Sequence, residues 1–102
     1  MKTLIFLNKL DFDFLPLAEK LRGKEEELSV VLVQDAVYIA LRNNGHSDAV
    51  KKLIESGVKF HILEKDVEQR GVVNNLISGL ELIDYDRLID LLFSDDQKVI
   101  NL

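Results

Sequence analysis

The most constraining feature of this sequence is a nearly continuous apolar run over residues 28–33, which reads LSVVLV. Strands that are buried on both faces of a parallel sheet have this composition, because helices cover the sheet on each side. Apolar runs of the same kind occur over 3–7 and 58–63, and segments with helical spacing separate them. Strands that alternate with helices in this way predict an α/β chain with a mostly parallel sheet.

The predicted elements complete a three-layer α/β/α sandwich with a mostly parallel sheet of about five strands. Asp13 is the predicted N-cap of the first helix, and Asp84 or Asp86 is that of the last. No linker or repeat divides the 102 residues, so we expect one domain over 1–102. Strands are predicted over 3–7, 28–33, 58–63, 80–83 and 99–102, and helices over 14–22, 36–41, 47–57, 64–70 and 87–93.

The sequence contains no cysteine, which excludes several kinds of chemistry. Without a thiol, the chain has no disulfide, no thiolate nucleophile and no thiolate metal site. It also cannot carry a persulfide, because the outer sulfur of a protein persulfide is bonded to a cysteine sulfur. Any function in which this chain itself holds a sulfur atom covalently is therefore excluded.

The net charge and the hydropathy of the sequence restrict the classes of partner that the chain can bind and the cellular location that we expect for it. The net charge of −5 and the pI near 4.9 argue against direct binding of nucleic acid, because that binding depends on Lys and Arg neutralising phosphates. No apolar run approaches the roughly 18 residues of a transmembrane helix. The apolar stretch that follows Met1 is also too short for a secretory signal. We therefore expect a cytoplasmic protein with no membrane partner.

Polar side chains follow two of the predicted strands, at the edge where an open parallel sheet binds its ligands. Gln34 and Asp35 follow the second strand, and Tyr38 lies one turn further along. Arg70 and Gly71 end the helix that follows the third strand. We expect these five residues to shape a crevice at the carboxyl edge of the sheet. Two structural alternatives stay open: Asp35 as a helix N-cap, and Arg70 with Gly71 as an ordinary helix C-terminus.

No set of side chains has the spacing of a catalytic or metal site. His46 and His61 are not spaced as metal ligands, and His61 is in opposite phase to Phe60, so we expect it to pack in the core or at a sheet edge. The serines lack a nucleophile elbow, and no glycine-rich phosphate loop is present. From the sequence we therefore expect a chain that is not an enzyme and that binds no cofactor and no metal.

The last predicted helix carries more apolar side chains than a helix with one buried face requires. Either the sheet and a neighbouring helix cover them, or another subunit does. The last strand is also apolar, and an apolar edge strand usually needs protection. We therefore predict association with a second copy or a different chain, with an oligomer interface at Leu88, Leu91, Leu92 and Phe93.

Three segments, taken in order, resemble the DsrH/TusB-type subunits of sulfur-relay complexes. Residues 27–37 resemble that family's strand followed by Gln-Asp-Gly-Val, with Ala36 in place of the usual Gly. Residues 58–71 resemble its strand, acidic turn and Ala-Arg-Gly segment, and residues 82–88 resemble its Ile-Asp-Tyr motif before the last helix. The stretch over 43–57 is longer and more helical than in that family. The resemblance covers roughly three quarters of the chain.

The resemblance implies a domain of the DsrE/DsrF/DsrH superfamily with a place in a sulfur relay. In such assemblies three related subunit types form a hexamer, and the DsrE/TusD type carries the essential cysteine. The output is 2-thiolation of the wobble uridine of certain tRNAs, or oxidation of stored sulfur. For a chain without cysteine, the resemblance implies a non-catalytic subunit that acts by assembly and docking. Its partners would be DsrE/TusD-like and DsrF/TusC-like subunits, or a second copy of itself.

A second function fits the same predicted fold. The chain could be a homo-oligomeric module that binds a small ligand, with an anionic group near Arg70 and the amides that begin the helix over 36–41. Asp35 lies at the same corner and would repel such an anion. The two hypotheses differ in their partners: cysteine-bearing relatives for the first, and a second copy with a small ligand for the other.

Overall fold

Five parallel strands form one sheet in the computed structural model, which describes residues 2–24 and 27–102. Their order across the sheet is β4-β3-β2-β1-β5, so β4 and β5 are the two edges. Every pairing between neighbouring strands is parallel, which confirms the predicted α/β fold class. The strands are β1 (Lys2–Leu7), β2 (Glu27–Leu32), β3 (Lys59–Leu63), β4 (Glu81–Ile83) and β5 (Gln97–Asn101).

Helical segments connect the strands within the described ranges. None of these helices is long and apolar enough to cross a lipid bilayer. The helices are α1 (Phe14–Leu21), α2 (Ser47–Glu55), α3 (Glu64–Gln69) and α4 (Tyr85–Leu92), with 3₁₀ segments at Gln34–Ala40 and Val73–Asn75.

The segment Gln34–Ala40 is a 3₁₀ helix, whereas the sequence predicted an α-helix over 36–41. The Asn44 side chain explains part of the difference. Its Nδ2 donates hydrogen bonds to the carbonyl oxygens of Tyr38 at 3.2 Å and Ile39 at 2.8 Å. These are carbonyls that an α-helix continuing beyond residue 41 would pair with its own N–H groups. The Asn44 side chain therefore caps the end of this segment from a few residues further along the chain.

The two faces of the sheet carry separate hydrophobic clusters. The larger cluster includes Ile5 and Phe60, and it joins the sheet to α1, α2, α3 and the first 3₁₀ segment. The smaller cluster joins the sheet to α4, and its buried members are Leu4, Val31, Val33, Leu63, Ile83 and Leu88. Leu4 and Ile5 enter opposite clusters because successive side chains of a strand point to opposite faces.

The two predicted helix caps have different outcomes. Asp84 accepts a hydrogen bond from the backbone N–H of Arg87 at 2.8 Å, so it caps α4 as predicted. The predicted capping by Asp13 is wrong, because no backbone N–H of α1 donates to its side chain. The backbone of Asp13 is already helical, and its own N–H donates to Oδ1 of Asp11 at 2.9 Å. Asp11 therefore satisfies a donor before the helix begins.

Charged side chains alternate across the amino edge of the sheet, where β1 to β4 begin with Lys2, Glu27, Lys59 and Glu81. The Glu27 carboxylate lies 2.6 Å from Nζ of Lys59 and 3.6 Å from Nζ of Lys2. The hydrogen bond from Lys59 lowers the pKa of Glu27. Opposite charges on neighbouring strands thus tie β1, β2 and β3 together at this edge.

Glu81 links α4 to the same edge. Its Oε1 lies 2.9 Å from Nδ1 of His61 on β3 and 3.6 Å from Nε of Arg87 on α4. The hydrogen bond from His61 lowers the pKa of Glu81, and Arg87 contributes in the same direction. His61 is buried against the sheet, as its phase in the strand predicted. One carboxylate therefore links α4 to β3 and β4.

The ion pairs of Glu27 predict a small, pH-dependent contribution to stability. Glu27→Gln should lower the free energy of unfolding at pH 7 by about 0.5 kcal/mol, because both lysines are exposed and water screens the charges. The pKa of Glu27 is lowered from 4.5 in the folded state, so this contribution is present at neutral pH and is lost as the pH falls below 4.5. Denaturant titrations at neutral and acid pH measure the difference. Glu55→Gln on α2 is the control, and a loss that does not change with pH contradicts the interpretation.

Candidate functional site

Two strand-to-helix corners lie side by side at the carboxyl edge of the sheet. Parallel pairing aligns Leu32 of β2 with Ile62 of β3, so the residues that follow these strands leave the sheet at the same level. The first 3₁₀ segment begins at Gln34, and α3 begins at Glu64. The structure therefore brings together the two sequence segments in which the crevice was predicted.

A buried carboxylate joins the two corners. The backbone N–H of Gln34 donates a hydrogen bond to Oδ2 of Asp66 at 2.7 Å. Asp66 lies in the first turn of α3 and is only 7% exposed. Gln34 has φ of +51°, in the left-handed region, where a residue other than glycine costs about 1–2 kcal/mol. The short charge-assisted hydrogen bond offsets this cost and fixes the direction in which the chain leaves β2.

Arg70 lies between two carboxylates at the same corner. Its Nη2 and Nε donate to Oδ1 of Asp35 at 3.0 and 3.3 Å, and its Nη1 lies 3.7 Å from Oδ1 of Asp66. The Arg70 side chain is 22% exposed, whereas that of Asp35 is 67% exposed. The alternative in which Asp35 acts as an N-cap is wrong, because Val33 is the cap residue and Asp35 pairs with Arg70 instead. We call Asp35, Asp66 and Arg70 the corner triad.

Gly71 and Tyr38 occupy the surroundings of the corner triad. Gly71 has φ of +65° and ends α3, which agrees with the helix C-terminus that its position predicted. Tyr38 is half-buried and packs against the larger cluster. Within the described ranges its side chain has no hydrogen bond to the triad, so the structure does not join it to the other predicted residues through a polar contact.

Asp66 is the corner residue that the sequence analysis did not select. The sequence feature that could have identified Asp66 is an acidic residue in the first turn of a helix that follows a buried strand directly, without a loop. That pattern is also typical of ordinary solvated aspartates at helix N-termini. Only the pairing of β2 with β3 shows that the carboxylate meets the backbone of Gln34.

The corner triad is suited to holding the fold rather than to binding an anion. Two carboxylates surround one guanidinium, so the group carries a net negative charge. An incoming phosphate or carboxylate would have to displace Asp35 from Arg70. Within the described residues, no group of three His, Asp or Glu side chains is close enough to hold a metal ion. The geometry therefore disfavours the anion-binding hypothesis.

A separate concave surface lies at the carboxyl end of β1, away from the corner triad. It has a volume of about 280 Å³ and combines an apolar wall with charged groups at its rim. None of the five residues predicted to shape a crevice contributes to it. Its lining residues are Leu7, Lys9, Asp11, Asp13, Phe14, Leu17 and Leu102.

Helix α4 presents apolar side chains to solvent. Leu88 is buried and Leu91 and Leu92 are half-buried, so these three predicted interface residues pack largely within the subunit. Phe93, the fourth predicted interface residue, is 79% exposed. Tyr85 and Ile89, at positions i−8 and i−4 from Phe93, are 52% and 53% exposed. We call these last three residues the α4 stripe.

The buried hydrogen bond of Asp66 predicts a measurable loss of stability. Asp66→Ala should lower the free energy of unfolding by about 2 kcal/mol, because it leaves the Gln34 N–H without an acceptor. Asp66→Asn keeps an oxygen acceptor and should cost less. Urea denaturation measures both variants. Asp35→Ala is the control, since it removes the exposed partner of Arg70 and should cost less than about 0.5 kcal/mol. Equal losses for Asp66→Ala and Asp35→Ala would contradict the role given to the buried carboxylate.

Comparison with solved structures identifies the fold. The ychN protein from E. coli superposes with a TM-score of 0.82 at 24% sequence identity, and the match covers 100% of both chains. A protein of unknown function from Methanobacterium thermoautotrophicum gives the same TM-score of 0.82 at 17% identity, covering 99% of this chain and 98% of the other. At these identities the likeness establishes the architecture alone.

Comparison of sequences identifies the family. Protein TusB from Pectobacterium parmentieri is 32% identical over 79 residues, which cover 78% of this chain and 80% of the relative. Protein TusB from Yersinia pestis (strain Pestoides F) is 31% identical over 83 residues, covering 81% and 84% of the two chains. The model of the family described as DsrH like protein matches residues 14–98. This chain therefore belongs to the DsrH family.

Proposed function

We propose that this chain is a non-catalytic subunit of a sulfur-relay complex and acts by assembly with cysteine-bearing relatives. The observation that carries the proposal is membership of the DsrH family in a chain without cysteine. The similarity to proteins named TusB over about four fifths of the chain supports the same type of subunit. The proposed partners are subunits of the DsrE/TusD and DsrF/TusC types.

The chemistry of sulfur transfer explains why such a subunit must act through others. A thiolate attacks the outer sulfur of a persulfide, the S–S bond breaks, and the donor cysteine leaves as a thiolate. The donor is therefore a cysteine persulfide and the acceptor a cysteine thiolate, and this chain has no cysteine. Its contribution is therefore to hold the cysteine-bearing subunits in place or to dock the protein that receives the sulfur.

The α4 stripe supports the assembly role. Tyr85, Ile89 and Phe93 lie on one side of α4 and are exposed. On another side of the helix Leu88 is buried, and Arg87 near the start of the helix pairs with Glu81. A contiguous exposed apolar surface is typical of a protein interface, and aromatic side chains often anchor such interfaces. The stripe is thus our proposed contact with the neighbouring subunit.

Net charge supports a protein partner for this subunit rather than RNA. The chain carries a net charge of −5, which is unfavourable for direct contact with phosphates. Two downstream products are consistent with a relay of this kind, thiolated wobble uridine in tRNA and oxidised sulfur. Both reactions would take place on other proteins, in the cytoplasm.

The proposal predicts specific partners in the native cell. Tagged chain should co-purify with cysteine-bearing proteins of the same fold, because the stripe and the fold are suited to packing of related subunits. Mass spectrometry identifies the proteins, and native mass spectrometry of the eluted complex gives the stoichiometry. Alkylation by iodoacetamide should label the partners and leave this chain unlabelled. Recovery of the chain alone, as a defined homo-oligomer, would overturn the proposal and favour the ligand-binding module.

The contact surface can be tested separately. Ile89→Asp and Phe93→Asp should each reduce co-purification of the cysteine-bearing subunits by at least about tenfold, because a charge would be buried at the interface. Both side chains are exposed in the isolated chain, so the variants should keep their thermal stability. Leu10→Asp is the matched control, since Leu10 is 52% exposed on the loop after β1. A complex that tolerates both α4 variants would show that the contact lies elsewhere.

A further inference from the structure

Asn44 and Gly45 form the single Asn-Gly pair of the sequence, and they lie in the loop between the first 3₁₀ segment and α2. An asparagine before glycine is chemically labile, because glycine has no Cβ that would shield its backbone nitrogen. Gly45 is exposed and has φ of +87°. Asn44 is half-buried and lines a concave surface of about 200 Å³ that is open to water. Sequence and exposure therefore identify Asn44 as a candidate site of deamidation.

Deamidation at such a pair needs only the chain and water. The backbone nitrogen of Gly45 attacks Cγ of Asn44 and loses its proton. The bond from Cγ to Nδ2 breaks, and the nitrogen leaves with that proton as ammonia. Water then adds to either carbonyl of the resulting succinimide ring and opens it. The product is aspartate, or isoaspartate with one methylene more in the main chain.

Hydrogen bonds hold both polar atoms of the Asn44 amide in the folded chain. Nδ2, the nitrogen that must leave, donates to the carbonyl oxygens of Tyr38 at 3.2 Å and Ile39 at 2.8 Å. Oδ1 accepts from the backbone N–H of His46 at 2.9 Å. Ring closure requires Cγ to turn toward the nitrogen of Gly45, and this movement breaks the contacts of Nδ2 with the 3₁₀ segment. The reaction therefore requires local opening of the loop.

The product cannot restore these contacts. A carboxylate only accepts hydrogen bonds, and the carbonyl oxygens of Tyr38 and Ile39 are acceptors as well. Ile39 is fully buried, so its carbonyl would lose the Asn44 donor in surroundings that water does not reach. A buried acceptor without a donor destabilises the fold. Deamidation would therefore weaken the end of the segment Gln34–Ala40, which begins at the corner triad.

We propose that Asn44 is a site of spontaneous deamidation that the folded chain suppresses, and that the modified chain cannot close the first 3₁₀ segment again. The same two hydrogen bonds of Nδ2 account for both effects, because they restrain the reacting group and are lost with it. Each opening of the loop thus carries a chance of irreversible change. The reaction involves this chain alone, so its test is independent of the partners proposed above.

The suppression is tested by comparing the rates of deamidation in the folded and unfolded wild type. Trypsin cuts after Arg42 and Lys51, so one peptide contains both Asn43 and Asn44. Mass spectrometry detects the exchange of the amide for a carboxyl group in this peptide, and fragmentation assigns it to one residue. At mildly alkaline pH the reaction of Asn44 should be at least about tenfold slower in buffer than in urea, because only the open fraction of the folded chain reacts.

Two controls define the chemistry of this measurement. Asn43 should react more slowly than Asn44 in urea, because the residue that follows it has a side chain. Gly45→Ala should slow the reaction of Asn44 in urea, where the substitution acts on the attacking nitrogen and not through the fold. Digestion at mildly acid pH keeps deamidation from continuing during the preparation. Equal rates for Asn44 in buffer and in urea would overturn the suppression.

The consequence is tested with variants that carry the product from the start. Asn44→Asp should lower the Tm by at least about 4 °C and should increase amide hydrogen exchange over residues 34–40. Asn43→Asp adds the same charge at an exposed position one residue earlier, and it should change neither quantity. Equal Tm values for the two variants would overturn the consequence. Failure of Asn44→Asp alone to fold would support it, and the rates of the wild type still test the suppression.

Discussion

A parallel sheet needs a covering layer on each of its apolar faces, and this constraint organises the whole molecule. One face is covered by α1, α2, α3 and the first 3₁₀ segment, which enclose the larger cluster. Within the described ranges the other face receives α4 alone, a helix of eight residues. So short a helix leaves Val99 of the edge strand β5 partly exposed on this face. The unequal covering leaves more apolar surface exposed on the α4 side of the sheet than the helix can bury.

The carboxyl edge of the sheet is held by a different kind of interaction. Asp66 is buried, and burial of a carboxylate is tolerated only where hydrogen bonds and a cation compensate it. Gln34 supplies a backbone donor and Arg70 supplies the cation. The carboxylates of Asp35 and Asp66 beside Arg70 would repel an anionic ligand. A corner that binds ligands in many open α/β sheets is thus occupied here by the chain's own side chains.

The fold was predictable from the sequence because its signals are local. The apolar run over 28–33 and the spacing of the helices depend on side chains a few residues apart, and they fixed the strand directions and the layer order. The corner triad depends instead on residues more than thirty positions apart, and no local pattern distinguishes Asp66 from a solvated aspartate. The 3₁₀ geometry after β2 was missed for a different reason: the side chain of Asn44 lies only five residues beyond Ile39, but no sequence pattern showed that it bonds that carbonyl.

The position of the exposed surface also required the structure. The sequence showed that the last helix is apolar over more than one side, but the burial of Leu88 and the exposure of Ile89 follow from how the helix is turned. Leu88 is buried in the smaller cluster, and Glu81 pairs with Arg87 at the first turn of α4 and with His61 in the sheet. The residues that attach α4 to the rest of the subunit, Leu88 and Arg87, and the residues of the α4 stripe therefore lie on different sides of the helix. Because the stripe contributes little to the core, its side chains can change without loss of the fold.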